Sequence, residues 1–221
     1  MQYDAILFDF DGVLVETPSS RRMTVALERA YEKLGRRGPT AETFQEILRG
    51  DFDSIATRCR ALEIDTDDFC TQAARELVAA QIAEVERGLR SAYDDVVAVR
   101  SLERPLGIVS DNHPTVIATL LERFGLESLF DAFYGCRLTP DGLARRKPDP
   151  RNIEDAMDAL EAESALYVGD RTVDVQAAHN AGIDAALLSR EDAAKPDAER
   201  PTECEPTYRL TSLAALPTIV R

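Results

Sequence analysis

Residues 3–17 read YDAILFDFDGVLVET. The apolar run Ala5-Ile6-Leu7-Phe8 does not alternate with polar residues, which is the pattern of a strand covered on both faces. It stops at Asp9-Phe10-Asp11-Gly12, so two carboxylates two residues apart stand where a buried element ends. Four more runs of this kind follow: Leu106 to Val109, Ala132 to Tyr134, Ala165 to Val168 and Ala185 to Leu188. Helical patterns separate the later runs: PTVIATLLERFG from Pro114, DPRNIEDAMDALEAE from Asp149 and TVDVQAAHNAG from Thr172. Strands alternating with helices predict an α/β fold, a doubly wound parallel sheet with helices on both faces.

The alternation breaks after the first strand. Met23, Leu27, Ala30, Tyr31 and Leu34 recur at helical spacing up to Gly35, and Phe44, Ile47 and Leu48 form a second stripe ending at Gly50. Phe52, Ile55, Cys59 and Leu62 make a third, and Phe69, Ala73, Leu77 and Val85 a fourth. These stripes predict an all-helical domain over residues 17–90, inserted into a core built from 1–16 and 91–221. The Pro- and acid-rich stretch from Ser189 to Pro206 reads as a surface loop, and YRLTSLAAL after it as a last strand and short helix.

Composition narrows the partners. The 221 residues carry a net charge of -14, which argues against nucleic acid or an anionic membrane surface as the main partner. Of the 26 basic residues only Lys33, Lys147 and Lys195 are lysines, leaving 23 arginines. Abundant acids with few lysines resemble proteins of salt-loving archaea; an ordinary acidic protein from a GC-rich genome has the same composition. Cys59, Cys70, Cys136 and Cys204 are scattered and form no C-x-x-C, as expected of thiols in a reducing cytoplasm. The N-terminus has no basic region, and its apolar run is broken by Asp, so neither a signal peptide nor a membrane span is expected.

In a doubly wound sheet, ligands bind at the carboxyl ends of the strands. Three apolar runs end there in a polar group: Asp9, Ser110 and Asp170. Lys147 in RRKPDP is a fourth candidate, ahead of a helix start punctuated by Pro148 and Pro150 with Asp149 as the expected N-cap. Taken singly, each has an ordinary structural explanation as a turn acid, loop hydroxyl, surface lysine or cap. Their convergence on one sheet edge, in order, is what points to a site.

Together DFDGVLVET, IVSDN, KPDP and GDRTVD, with a helical insert after the first, resemble the four motifs of the haloacid dehalogenase superfamily. The likeness is to its phosphoglycolate phosphatase-like branch, with a Rossmann-like core and a helical cap. The resemblance implies a phosphatase acting on a small-molecule phosphate monoester. Asp9 would be the nucleophile that becomes an aspartyl phosphate, and Asp11 the general acid/base. Ser110 would donate to a phosphoryl oxygen and Lys147 neutralise charge, with Asp111 and Asn112 beside Ser110 on the substrate side. Mg²⁺ would be held by Asp9, the backbone carbonyl of Asp11, Asp170 and Asp174, the last through water or by positioning Lys147. Arg49 and Gly50, in the insert, match a loop that faces the substrate's organic group, and Arg21 and Arg22 are further candidates for a substrate carboxylate. Oligomeric state and the particular substrate stay open.

Other activities fit parts of this pattern. A dehalogenase shares the nucleophile but needs no acid two residues on, because halide leaves without a proton; Asp11 argues against it. A phosphomutase remains open, as does a phosphonatase using Lys33 as its cap lysine. A receiver-like signalling domain would be shorter and lack the insert, and an inactive scaffold would not be expected to keep every motif residue.

Overall fold

The computed structural model describes residues 3–37, 52–190 and 204–220. Six strands, β1 (Ala5–Phe8), β2 (Leu106–Val109), β3 (Ala132–Tyr134), β4 (Ala165–Gly169), β5 (Asp184–Leu188) and β6 (Tyr208–Leu210), form one sheet in the order β3-β2-β1-β4-β5-β6. Every pairing is parallel, with Phe8 beside Ile108 on one side and Val168 on the other. The doubly wound sheet expected from the sequence is present, and β4 and β5 each run one residue beyond the expected runs, to Gly169 and back to Asp184.

The unbroken apolar strands follow from burial on two sides. Ile6 and Phe8 pack into one apolar cluster with Val116, Ile117 and Leu120 of α4 (Pro114–Phe124), while Ala5 and Leu7 face a second cluster. That second cluster contains Ile153 and Ala156 of α6 (Arg151–Ala159) and Val175 and Ala178 of α7 (Thr172–Asn180). Fully burying each large side chain contributes about 1.5–3 kcal/mol, so the central strand is fixed from both faces. Its end, where the acids begin, is fixed with it.

Local signals set the helix ends. α4 begins with Pro114 behind His113, whose Nδ1 accepts from the Thr115 N–H at 3.2 Å, and ends at Gly125 with φ of 62°. The expected N-cap of α6 is corrected by one residue: Pro150 occupies the cap position, and it has no side-chain acceptor. Asp149 Oδ1 still accepts from Arg151 N at 3.0 Å, serving the first turn from one position further out.

Between β1 and β2, the described residues form α1 (Ser20–Lys33), α2 (Phe52–Ala61) and α3 (Thr66–Glu86). Their apolar faces meet in a third cluster of Leu27, Ala30, Tyr31, Ile55, Cys59, Phe69, Cys70 and Ala73, joined by Leu143 from α5 (Pro140–Ala144). The stripe at Phe44, Ile47 and Leu48 lies outside the described residues. The chain enters and leaves this helical group side by side: Val15 pairs antiparallel with Ala92, Glu16 N donates to Ser91 O at 3.0 Å, and Tyr93 N donates to Leu14 O at 3.1 Å. The SAYDDV segment then runs into a 3-10 helix over Asp94–Ser101. Among the described residues no helix is long and apolar enough to cross a membrane.

Candidate active site

The parallel register carries the ends of β1, β2 and β4 to one edge, and the motif residues meet there. Asp9 follows β1, and its N–H extends the ladder to Val168 O at 2.8 Å. Ser110 follows β2 and is buried, with Oγ accepting from Asn112 N at 3.3 Å. Asp170 follows β4, and Asp174 lies in the first turn of α7.

Glycines allow the close approach. A Cβ on Gly12, whose φ is +82°, would stand 2.1 Å from Asp170 Oδ2, and one on Gly169 would stand 2.2 Å from Asp174 Cβ. Any side chain at either position would displace an acid of the cluster.

Lys147 lies at the centre. Its Nζ is 2.8 Å from Asp9 Oδ2, 2.6 Å from Asp174 Oδ1 and 3.0 Å from the Tyr167 hydroxyl, and its side chain is 2% exposed. Tyr167 in turn donates to Val109 O at 2.7 Å, so a buried residue of β4 holds the ammonium toward Asp9. Burial opposes the charge on Lys147, but Asp174 and Asp9 outweigh it and keep it protonated well above its ordinary range. Burial likewise opposes ionisation of Asp9, yet Lys147 and then Arg171 hold its carboxyl below the usual value. An ionised, desolvated carboxylate beside two cations is suited to nucleophilic attack on an anionic centre.

The other acids are tuned differently. Burial, against the pull of Arg90 and with the Asp9 charge adding to it, raises Asp11. Burial and then the charges of Asp174 and Asp9 push Asp170 up to about 8. Asp174 Oδ2 accepts from the backbone N–H groups of Asp170 at 3.1 Å and Arg171 at 2.8 Å, which fixes its orientation.

A hard divalent cation fits these residues. One oxygen each of Asp9, Asp170 and Asp174 lie within 4.8 Å of one another, and Asp170 Oδ1 is buried without a hydrogen-bond partner. A buried acceptor left unpaired beside two like charges is what an oxygen-coordinated cation would satisfy. The Asp11 carboxylate is not part of this cluster: Oδ1 pairs with Arg90 and Oδ2 accepts from Asn112 Nδ2 at 2.7 Å.

The remaining candidates divide. Asp111 stands beside the cluster, accepting from Lys147 N at 3.0 Å through Oδ1. Arg49 and Gly50 lie outside the described residues. Arg21 is exposed, and Arg22 Nε is 3.6 Å from Glu84 Oε1. Lys33 pairs with Glu76 at 2.6 Å on an exposed surface. Three residues near the site went unread in the sequence: Tyr167, Arg90 and Arg171. Arg171 Nη2 lies 3.7 Å from Asp9, 3.4 Å from Asp111 and 3.8 Å from Asp174. Its place inside GDRTVD was a usable signal; Tyr167 and Arg90 had none.

A sheet with these acids and this lysine at its carboxyl edge is suited to chemistry on an anionic group, and comparison with known proteins gives the family. Residues 6–188 match the family model described as haloacid dehalogenase-like hydrolase, and the chain belongs to that family. It is similar to a phosphoglycolate phosphatase of Cereibacter sphaeroides, 30% identical over 191 residues that cover 83% of this chain and 84% of the relative. It is also similar to the pyrophosphatase PpaX of Anoxybacillus flavithermus, 26% identical over 84% of this chain and 83% of the relative. The crystal structure of CbbY from Rhodobacter sphaeroides in complex with phosphate superposes with a TM-score of 0.72 at 20% identity, covering 97% of this chain and 96% of the other.

Proposed function

We propose that this hydrolase is a Mg²⁺-dependent phosphatase of small-molecule phosphate monoesters, of the phosphoglycolate or sugar phosphate kind. The observation that carries the reading is the Asp9 carboxylate, buried and held ionised between Lys147 and Arg171 beside the unpartnered oxygen of Asp170. The name of the phosphoglycolate phosphatase relative supports the substrate class.

In this reading, Asp9 attacks phosphorus, the bond from phosphorus to the ester oxygen breaks, and Asp11 gives its proton to the departing alkoxide. Water then attacks the aspartyl phosphate; Asp11 takes a proton from it, and the bond between phosphorus and Asp9 breaks to release inorganic phosphate. Ser110 Oγ accepts from Asn112 N, so its own proton is available to a phosphoryl oxygen. Lys147 and Arg171 offset the charge that would otherwise repel a phosphate dianion from Asp9. A divalent ion held by Asp9, Asp170 and Asp174, and by the Asp11 carbonyl, would supply further charge neutralisation when bound. Residues 17–90 would act as the cap that excludes water. The exposed pairing of Lys33 with Glu76 disfavours the phosphonatase alternative.

The test is a panel of phosphate monoesters with Mg²⁺, run with the wild type and Asp9→Asn. The wild type should release phosphate from at least one small ester, and the amide variant, which cannot form an acyl phosphate, should release none while melting like the wild type. Turnover retained by Asp9→Asn would overturn the mechanism.

A further inference from the structure

Arg90 lies outside every motif, on the segment that returns from α3 to the sheet. Its side chain is 1% exposed. The guanidinium serves three separate parts of the chain: Nε donates to Glu16 O at 2.5 Å, Nη1 to Gln81 Oε1 at 2.9 Å, and Nη2 to Asp11 Oδ1. Asn112 closes the circuit, donating through Nδ2 to Asp11 Oδ2 at 2.7 Å and to Gln81 Oε1 at 2.8 Å, while Gln81 Nε2 donates to Asn112 Oδ1 at 3.0 Å. Both carboxylate oxygens of Asp11 are therefore held by donors that also bond Gln81, a buried residue of α3.

We propose that Arg90 is a positioning residue for Asp11, setting the orientation of that carboxyl and tying it to helix α3 through Gln81. Three features carry this. A buried guanidinium is expensive to desolvate, and an apolar residue of similar size would pack with less penalty, so its retention needs a reason beyond stability. Its three bonds diverge, which a planar fork provides and a single ammonium does not. And Asp11 sits on a turn with an edge open to the site, its side chain 22% exposed, so without the clasp its rotamer would be fixed only by Asn112. A displacement of α3 relative to the sheet would move Gln81, and the clasp would carry that displacement to Asp11. Arg90 and Asp11 are 79 positions apart in sequence, yet they meet because the segments entering and leaving the insert pair at Val15 and Ala92.

The inference rests on the role proposed for Asp11, and the experiment separates the two. An alkyl phosphate needs its leaving oxygen protonated, whereas 4-nitrophenolate leaves without help, so kcat/KM for the two esters reports Asp11 selectively. General acid catalysis contributes about 10²–10⁴-fold, and a carboxyl that is present but misdirected keeps part of it. Arg90→Met should therefore lower kcat/KM for the alkyl ester about tenfold and for 4-nitrophenyl phosphate less than about threefold. Arg90→Lys should show the same selectivity in smaller degree. In an Asp11→Asn background, Arg90→Met should add less than about twofold, because the group it positions is gone. If Arg90→Met does not fold, Gln81→Met, which removes one arm and leaves the guanidinium in place, should show the same selective loss. Equal loss on both esters, or a full additional loss in the Asp11→Asn background, overturns the positioning role alone. The alkyl ester is one that the panel shows the wild type to hydrolyse; a wild type that hydrolyses no ester of the panel overturns the phosphatase reading, and this inference with it.

Discussion

Lys147 offers the sharpest test of the site's electrostatics, because it can be read from stability without any substrate. Its ammonium is 2.8 Å from Asp9 and 2.6 Å from Asp174, with all three side chains 3% exposed or less. Replacing it with methionine keeps the length of the stem and removes the charge, leaving two buried carboxylates without their main counter-ion. Breaking a buried pair by removing one partner costs about 3–5 kcal/mol, mostly as the penalty of the charge left behind. Arg171 remains near both acids, at 3.7 and 3.8 Å, and is 41% exposed, so it offsets only part of the loss. The expected loss is then about 3 kcal/mol, measured by urea unfolding in chelator near neutral pH. Adding Asp174→Asn to Lys147→Met should restore about half of it, because one of the two abandoned charges disappears. A loss below about 1 kcal/mol, or a double variant no more stable than the single one, would refute the view that these charges hold one another in place.

Four further outcomes are expected. Asp170→Asn should raise the melting temperature in chelator, since it removes a carboxyl that burial and the charges of Asp174 and Asp9 make costly to ionise, and should abolish the stabilisation expected of Mg²⁺ in the wild type, a gain Ca²⁺ should reproduce less well. Inorganic phosphate should raise the wild-type melting temperature in Mg²⁺ and far less in chelator. At Asp95, burial opposes ionisation, but the Arg190 fork, the Ser212 hydroxyl and the Leu213 N–H hold the carboxyl below its ordinary value. Its stabilisation is thus present above the ordinary carboxylate range and lost as pH falls through the lowered value, so Asp95→Asn should cost about 2 kcal/mol at neutral pH and progressively less in acid. With a net charge of -14, self-repulsion should relax as the Debye length falls from about 8 Å at 0.15 M salt to about 3 Å at 1 M, raising the melting temperature in KCl with chelator present; a flat response would mean that surface repulsion does not limit stability.

The sheet was legible because its cause is local. Ala5 to Phe8 lies under helices on both faces, so its composition records its burial, and the residue that ends it must stand at the sheet edge. Asp9, Ser110 and Asp170 could be placed together for that reason, and Lys147 joined them because its motif follows in order. Arginines were not legible. Arg190 donates to Gly12 O at 3.2 Å and Val13 O at 2.7 Å, forms a bidentate pair with Asp95 at 2.9 and 3.0 Å, and lies over the Tyr93 ring at 3.7 Å, holding the loop that carries Asp11. Nothing in a chain with 23 arginines marks this one, because its partners are up to 178 positions away. Tyr167 was hidden differently: inside an apolar run its ring accounts for its presence, and only the fold shows its hydroxyl against Lys147. The N-cap of α6 was misplaced because prolines on both sides of Asp149 leave the sequence two equivalent places to begin the helix.

Charge counting explains why so much of the site is cationic in so acidic a protein. With every group charged, Asp9, Asp111, Asp170 and Asp174 against Lys147 and Arg171 leave two net negative charges, which would repel a phosphate dianion. A bound divalent ion would bring that balance to zero. Lysine at position 147 suits the space between Asp9, Asp174 and Tyr167, where a compact ammonium meets all three and a planar guanidinium would need more room. Arginine at 171, half in solvent, reaches three acids at 3.4 to 3.8 Å instead of displacing any of them. The lysine therefore fixes Asp9 from within, while the half-exposed arginine stands on the outer side of the cluster, where its shortest acid contact, 3.4 Å, is with Asp111.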